Sequence, residues 1–403
     1  MRRIYLDHSA TTPLDARVLD AMLPFLTERF GNASSVHSFG QEARAAIDKA
    51  RRQVASLIGA RSNEIVFTSG GTESNNLAIR GICEANRPYG RHIITSAIEH
   101  PSARGAIELL EKQGWEVTRL SAYEDGIVQA SDVRNSIRPD TVLISVMLAN
   151  NEIGTLQPIS EIASIVRAER KRGRRLWFQT DAVQAVGRVP VDVETLGCDL
   201  LSMSAHKIYG PKGTGALYLR RGTRLFPQQV GGHQERERRA GTESVANIVG
   251  FGVAAELTRI EMDARNELTA RLRDRFETAV KARIRDIVFN GDIDRRLPHL
   301  SNISFRFIEG EGLLIHLDMQ GVAVSTGSAC SSGTLEPSPV IRALGRDEEL
   351  ARGAIRFSFG KDNVEADVDY AVEALARAVE SLRALSPLAH QSTVSARESV
   401  PSA

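Results

Sequence analysis

The sequence predicts an α/β protein, a large layered unit with a mainly parallel sheet followed by a smaller α+β unit. Three observations carry this. Short apolar strands alternate with amphipathic helices across residues 41–219. One long helical stretch without proline then spans residues 245–281. Beyond residue 287 the order becomes mixed.

Taken in order, residues 41–60 form an amphipathic helix, with Ala43, Ile47, Val54, Leu57 and Ile58 near a 3.6-residue period. Residues 64–68 form a strand, and a helix follows from Glu73. Further strands are expected at 92–96, 115–120, 141–148, 176–180, 200–204 and 215–219, with helices at 102–113 and 160–172. The smaller unit reads as strands at 302–307 and 354–359 and a helix at 312–319. Val364, Val368, Val372, Leu375, Val379 and Leu382 mark the last helix. The Ser-, Ala- and Pro-rich residues 386–403 read as a disordered tail. The expected domains are 15–255 and 256–385, with residues 1–14 packed on the smaller one.

The chain has 403 residues, 42% apolar and 25% charged, the profile of a soluble globular protein of two or three domains. A net charge of +1 gives no bias toward nucleic acid or a membrane surface. Three cysteines (Cys83, Cys198, Cys330), widely spaced and without CxxC, argue against a disulfide framework and a zinc site, and for a reducing cytoplasm. No signal-peptide apolar region and no run of about 18 apolar residues is present, so no membrane span is expected.

Five fragments carry chemistry. In SMSAHKIYGPKG, Lys207 lies just past a strand. A buried lysine there can form a Schiff base, with Ser204 and His206 donating to a phosphate; a surface turn lysine fits the fragment as well. In TSGGTESN, a strand ends in a Gly-Gly-Thr turn that opens a helix, a phosphate cradle at Gly71 and Thr72 or a plain loop with Thr72 as N-cap. Neither GxxxxGK[ST] nor GxGxxG is present, which argues against ATPase and dinucleotide readings. Asp181 ends an apolar strand, where a carboxylate can face a protonated pyridine nitrogen or cap a helix. His100 also follows a strand and can stack on a flat ring or serve structure alone. Cys330 sits among small polar residues in STGSACSSG, a loop composition, and is a candidate nucleophile; Cys83 and Cys198 read as small buried hydrophobes.

Together with YLDHSATTP at residues 5–13, GNASS at 31–35, EH at 99–100, NNEIG at 150–154, DAVQ at 181–184, RAGT at 239–242 and RFS at 356–358, these fragments resemble the NifS/IscS-type cysteine desulfurases. Those are class-V aminotransferases among the fold-type I pyridoxal-phosphate enzymes. The pieces occur in the family's order over about residues 4–385. The resemblance implies a seven-stranded, mainly parallel sheet and a homodimer. It implies pyridoxal 5'-phosphate held by Lys207 as a Schiff base, Asp181 on the pyridine nitrogen, Gln184 on the ring hydroxyl and His100 stacked on the ring. Gly71, Thr72, Ser204 and His206 would bind the phosphate, with Thr242 from the neighbouring subunit. Asn151 and Arg356 would hold the carboxylate of L-cysteine, the arginine by planar bidentate recognition. Lys207 would also shuttle the Cα proton. Cys330 would take the sulfur as a persulfide, leaving alanine, and pass it to an acceptor or iron–sulfur scaffold protein, for iron–sulfur cluster assembly or thiolation. Cys330 could serve as a transient iron–sulfur ligand, and no other metal is implied. Selenocysteine lyase or another pyridoxal-phosphate transferase is the alternative. The segment after Cys330 matches the longer-loop members, whereas the tail lacks the acidic-aromatic-histidine ending of the member that docks an iron–sulfur scaffold. The basic run Arg170–Arg175 reads as a solvated helix end, or as a docking patch for an acidic or RNA-bound acceptor.

Overall fold

A computed structural model describes residues 3–326 and 337–386. Its strands are β1 (Ile4–Tyr5), β2 (Ile65–Thr68), β3 (His92–Ser96), β4 (Glu116–Leu120), β5 (Thr141–Ser145), β6 (Trp177–Asp181), β7 (Leu200–Ser204), β8 (Gly215–Leu219), β9 (Ile287–Phe289), β10 (Leu300–Phe305), β11 (Val322–Ala323) and β12 (Ala354–Ser358). The central sheet has seven strands in the order β2-β8-β7-β6-β5-β3-β4. Only β8 runs against its neighbours; the rest are parallel. Every residue of β3, β5 and β7 is buried, as a sheet covered on both faces requires. Alternation divides the side chains: Ile94, Ile144 and Leu201 join one core, and Ile93, Leu143 and Leu200 join the other.

A second, antiparallel sheet runs β12-β10-β9. Its core gathers Phe276, Ile303, Phe305, Ile355, Phe357 and Leu375 and takes in Ile4 and Leu6. There β1 pairs in parallel with β11. The helix Val245–Arg283, 39 residues and about 58 Å long, links the two regions. Its Phe251 and Ala254 belong to the first core and its Leu272, Phe276 and Val280 to the second.

Several edges differ from the sequence expectation. The strand expected at 141–148 stops at Ser145, beyond which Val146 and Leu148 donate to the carbonyls of Gln179 and Asp181 outside the regular ladder. The helix expected from Glu73 begins at Gly71, with Gly70 rather than Thr72 as its N-cap. Helix Ala16–Thr27 escapes the periodicity reading because Pro24 lies inside it. Helices Ala130–Ser136, Pro339–Ala343 and Glu348–Arg352 are too short to leave a periodic signature. Among the described residues no helix is long and apolar enough to cross a membrane.

Candidate active site

The C-terminal ends of β2, β3, β5, β6 and β7 point to one side of the central sheet, where open α/β sheets bind ligands. A cavity of about 220 Å³ opens there. It is lined by Gly71, Thr72, His100, Asn151, Asp181, Gln184, Ser204, His206 and Lys207. Residues scattered over more than 130 positions of sequence thus share one wall. Ala10, Ser102, Met147 and Val183 complete the lining. Ala10 and Val183 sit in fragments that the sequence reading singled out without giving them a role, whereas Met147 lies in an apolar run that carries no site signal.

At the end of β2 the chain turns through Gly70 (φ +155°) into helix Gly71–Asn86. A Cβ on Gly71 would meet Val183 Cγ2 at 2.7 Å, so only glycine leaves the helix start open to the cavity. The unpaired N–H groups of this first turn form an anion seat. His206 beside it donates to or accepts from Thr11 Oγ1 at 3.1 Å. Burial and the nearby Lys207 and Lys212 push its pKa down to about 4, so the ring is neutral at pH 7.

Asp181 is buried, with Val183 N–H donating to Oδ1 at 2.9 Å and Asn75 Nδ2 donating to Oδ2 at 2.6 Å. His100 caps helix Pro101–Lys112: its Nδ1 accepts the Ser102 N–H at 3.2 Å. Structural capping and a place on the cavity wall therefore coexist in one side chain. Burial lowers the His100 pKa. Lys207 Nζ donates to the carbonyls of Ser9 and Ala10, at 2.5 and 2.7 Å. Gln184 Nε2 donates to the same Ser9 carbonyl at 2.9 Å.

Arg356 lies behind Asn151 rather than on the cavity wall. Its Nη1 donates to the Asn151 carbonyl at 2.9 Å and its Nη2 to Asp7 Oδ1 at 2.8 Å. Nε is buried without a partner among the described residues. Two arms of the fork are engaged within the chain, so the open bidentate face expected from sequence is not displayed. Thr242 is exposed and away from the cavity of its own chain. Cys330 lies outside the described residues, as does the tail from residue 387. Of the described residues on either side of 327–336, Ser325 accepts the Arg356 N–H at its carbonyl at 2.7 Å, and the Ser338 hydroxyl donates to Glu152 at 2.5 Å. Both attachments adjoin Asn151. In the basic run, Lys171, Arg172 and Arg175 are exposed, and several of its arginines have partners within the chain. Arg170 pairs with Asp199, Arg172 and Arg174 with Glu169, and Arg175 covers the Tyr89 ring at 3.8 Å.

The residues fit pyridoxal phosphate. There is an anion seat that a Cβ would fill, a buried carboxylate at a strand end, and an amine on the same wall. The aminotransferase class-V family model matches residues 4–371. The cysteine desulfurase IscS of Dictyoglomus turgidum is 52% identical over 386 residues, 96% of this chain and 97% of that protein. A solved NifS-like protein superposes with a TM-score of 0.88 at 34% identity, covering 94% of this chain and all of the other. The structure of SspA in complex with cysteine matches with a TM-score of 0.80 at 36% identity, covering 90% of this chain and all of that one.

Proposed function

The chain belongs to the class-V aminotransferase family as a cysteine desulfurase, and from that premise we propose that the cavity at the strand ends binds pyridoxal 5'-phosphate and L-cysteine and that Cys330 receives the sulfur. The observation that carries this reading is the convergence of Lys207, Asp181, His100 and the Gly71–Thr72 turn on one cavity. When bound, the cofactor supplies an aldehyde for the substrate amine and an electron sink for the Cα carbanion.

The chain's own groups do the rest. The Gly71–Thr72 turn, Ser204 and His206 seat the phosphate, joined by Thr242 of a second copy; the exposure of Thr242 in its own chain supports that role. Asp181, fixed by two donors, faces the ring nitrogen. Gln184 reaches the ring hydroxyl, and His100 covers the ring. Lys207 Nζ removes the Cα proton. Asn151 and the Nε side of Arg356 hold the substrate carboxylate. The thiolate of Cys330 attacks the substrate sulfur, a sulfur–sulfur bond forms as the Cβ–S bond breaks with its electron pair left on the carbon side, and alanine leaves once Cβ takes a proton and Cα regains one. Ser325 and Ser338, on either side of residues 327–336, are held beside Asn151, which supports access of Cys330 to the cavity.

A homodimer accords with the exposed Leu19, Leu23 and Leu26, which share one face of helix Ala16–Thr27, and with nearby exposed Phe30 and Phe39. Two free buried cysteines, Cys83 and Cys198, accord with a reducing cytoplasm. The sulfur then passes to an acceptor protein.

Incubation of the purified protein with pyridoxal phosphate, L-cysteine and a thiol reductant tests the reading. Equal amounts of alanine and sulfide are expected, and Lys207→Ala abolishes both. Failure of the wild-type protein to release alanine would overturn it.

A further inference from the structure

A chain of buried hydrogen bonds through Ser145, Gln179, Asn75 and Ser102, none of them assigned a role above, runs beneath the cavity to Asp181 and His100. The Ser145 hydroxyl donates to Gln179 Oε1 at 2.5 Å, and Gln179 Nε2 donates to Asn75 Oδ1 at 3.1 Å. Asn75 has two amide protons. One goes to Asp181 Oδ2 at 2.6 Å, and the other to Ser102 Oγ at 2.9 Å. Ser102 Oγ lies 2.8 Å from His100 Nδ1. Ser145, Gln179 and Asn75 are fully buried, so water does not compete for these bonds.

The direction of every bond is determined. Gln179 presents its oxygen to Ser145 and its nitrogen to Asn75, which fixes the Asn75 oxygen as acceptor and its nitrogen as the double donor. His100 Nδ1 already accepts the Ser102 N–H, so it carries no proton. The Ser102 hydroxyl, receiving from Asn75, must therefore donate to Nδ1. A neutral His100 then holds its proton on Nε2. The same amide fixes the Asp181 carboxylate, whose other oxygen is held by Val183 N–H.

We propose that Asn75 is a positioning residue that sets two groups at once: it orients the Asp181 carboxylate toward the ring nitrogen, and through Ser102 it fixes His100 as the Nε2–H tautomer. In this arrangement His100 offers a proton to the cavity in its resting state and does not take one. The inference rests on reading the cavity as the pyridoxal-phosphate site.

The test uses the full-length apoprotein and three variants, Asn75→Ala, Asn75→Asp and Ser102→Ala. Three quantities are measured: affinity for pyridoxal phosphate, the pH midpoint of the bound cofactor's visible absorption change, and the pH profile of kcat/KM. Asn75→Ala is expected to weaken cofactor binding roughly tenfold, the loss of one hydrogen bond to a charged group, and to move the absorption midpoint. Ser102→Ala breaks only the His100 branch, so it is expected to leave the absorption midpoint in place while moving the pH profile of kcat/KM. If Asn75→Ala does not fold, Asn75→Asp serves: it keeps the shape, sets a carboxylate against Asp181, and is expected to move the same midpoint. A folded Asn75 variant with wild-type affinity and midpoint would overturn the proposal. Wild-type protein that binds no pyridoxal phosphate would overturn the reading beneath it instead.

Discussion

Glu99 lies fully buried one residue before His100, and burial raises its pKa to about 8. Its Oε1 accepts from the Ser96 hydroxyl at 2.6 Å and from Met147 N–H at 2.9 Å, while Oε2 has no partner among the described residues. The folded chain therefore keeps this carboxyl protonated at pH 7, whereas the unfolded chain releases the proton near 4.5. Folding takes up a proton in that window, so the contribution of Glu99 is fully present below about 4.5 and declines as pH rises through about 8. Glu99→Gln, which imitates the protonated form, is expected to remove this decline and to raise the urea midpoint of the apoprotein near pH 8. At Gly71 the constraint is steric. Gly71→Ala places a methyl 2.7 Å from Val183 Cγ2 and over the anion seat, and about a tenfold or greater loss of affinity for pyridoxal phosphate is expected by equilibrium dialysis. Lys207, Asp181 and His100 were legible as cavity residues because each lies at or just past the end of a strand in a fragment of unusual composition. Asn75 was quoted in its fragment and given no role, since an asparagine on a helix announces nothing until its partners Asp181 and Gln179, more than 100 positions away, are placed beside it.

Among the elements, the turn Gln234–Glu237 leading toward Thr242 is the most strained. Glu235, Arg236 and Glu237 take φ of 48°, 58° and 65°, a region that costs non-glycine residues about 1–3 kcal/mol each. The turn is held by Glu235, whose carboxylate accepts from both Arg51 Nη atoms at 2.6 Å and from Phe67 N–H at 3.0 Å. Both partners are buried, with side-chain exposures of 9% and 3%. Glu235→Ala leaves the Arg51 charge buried and unpaired, and a loss of about 3–5 kcal/mol in denaturant unfolding is expected. The local reading missed this turn because its conformation is imposed by a residue 184 positions away. The strands at His92–Ser96, Leu200–Ser204 and Gly215–Leu219 were readable to the residue, because strands of a sheet covered on both faces are short, largely apolar runs bounded by turns. Helix Gly71–Asn86 was readable as an element but not at its start, where glycine replaces the usual polar cap.

At the scale of the molecule, five histidines among the described residues, His8, His92, His100, His206 and His299, have lowered pKa values, His8 to about 3 and His206 to about 4, with burial the first cause in each. The unfolded chain protonates these rings near 6.5. Their contribution is present above that pH and is lost as pH falls toward 4, at about 1.4 kcal/mol per pH unit for each proton. Five such groups outweigh the opposite slope of Glu99, so the apoprotein's unfolding midpoint is expected to fall steeply between about pH 6.5 and 5. The alternation of strands and helices made the seven-stranded sheet legible, whereas the packing of the N-terminal strand with β11 depends on contacts more than 300 positions apart. Composition alone singles out Cys330, as the cysteine set among small polar residues, and the residue lies outside the described ones. The claim that joins these scales is that carbon chemistry at Lys207 ends with sulfur on Cys330. Brief treatment of the holoenzyme with L-cysteine without reductant, followed by peptide mass spectrometry, tests it most directly. One added sulfur atom on the peptide carrying Cys330, with a matching amount of alanine, is the predicted result. Alanine formation with the added sulfur on Cys83 or Cys198, or undiminished in Cys330→Ala, would contradict it.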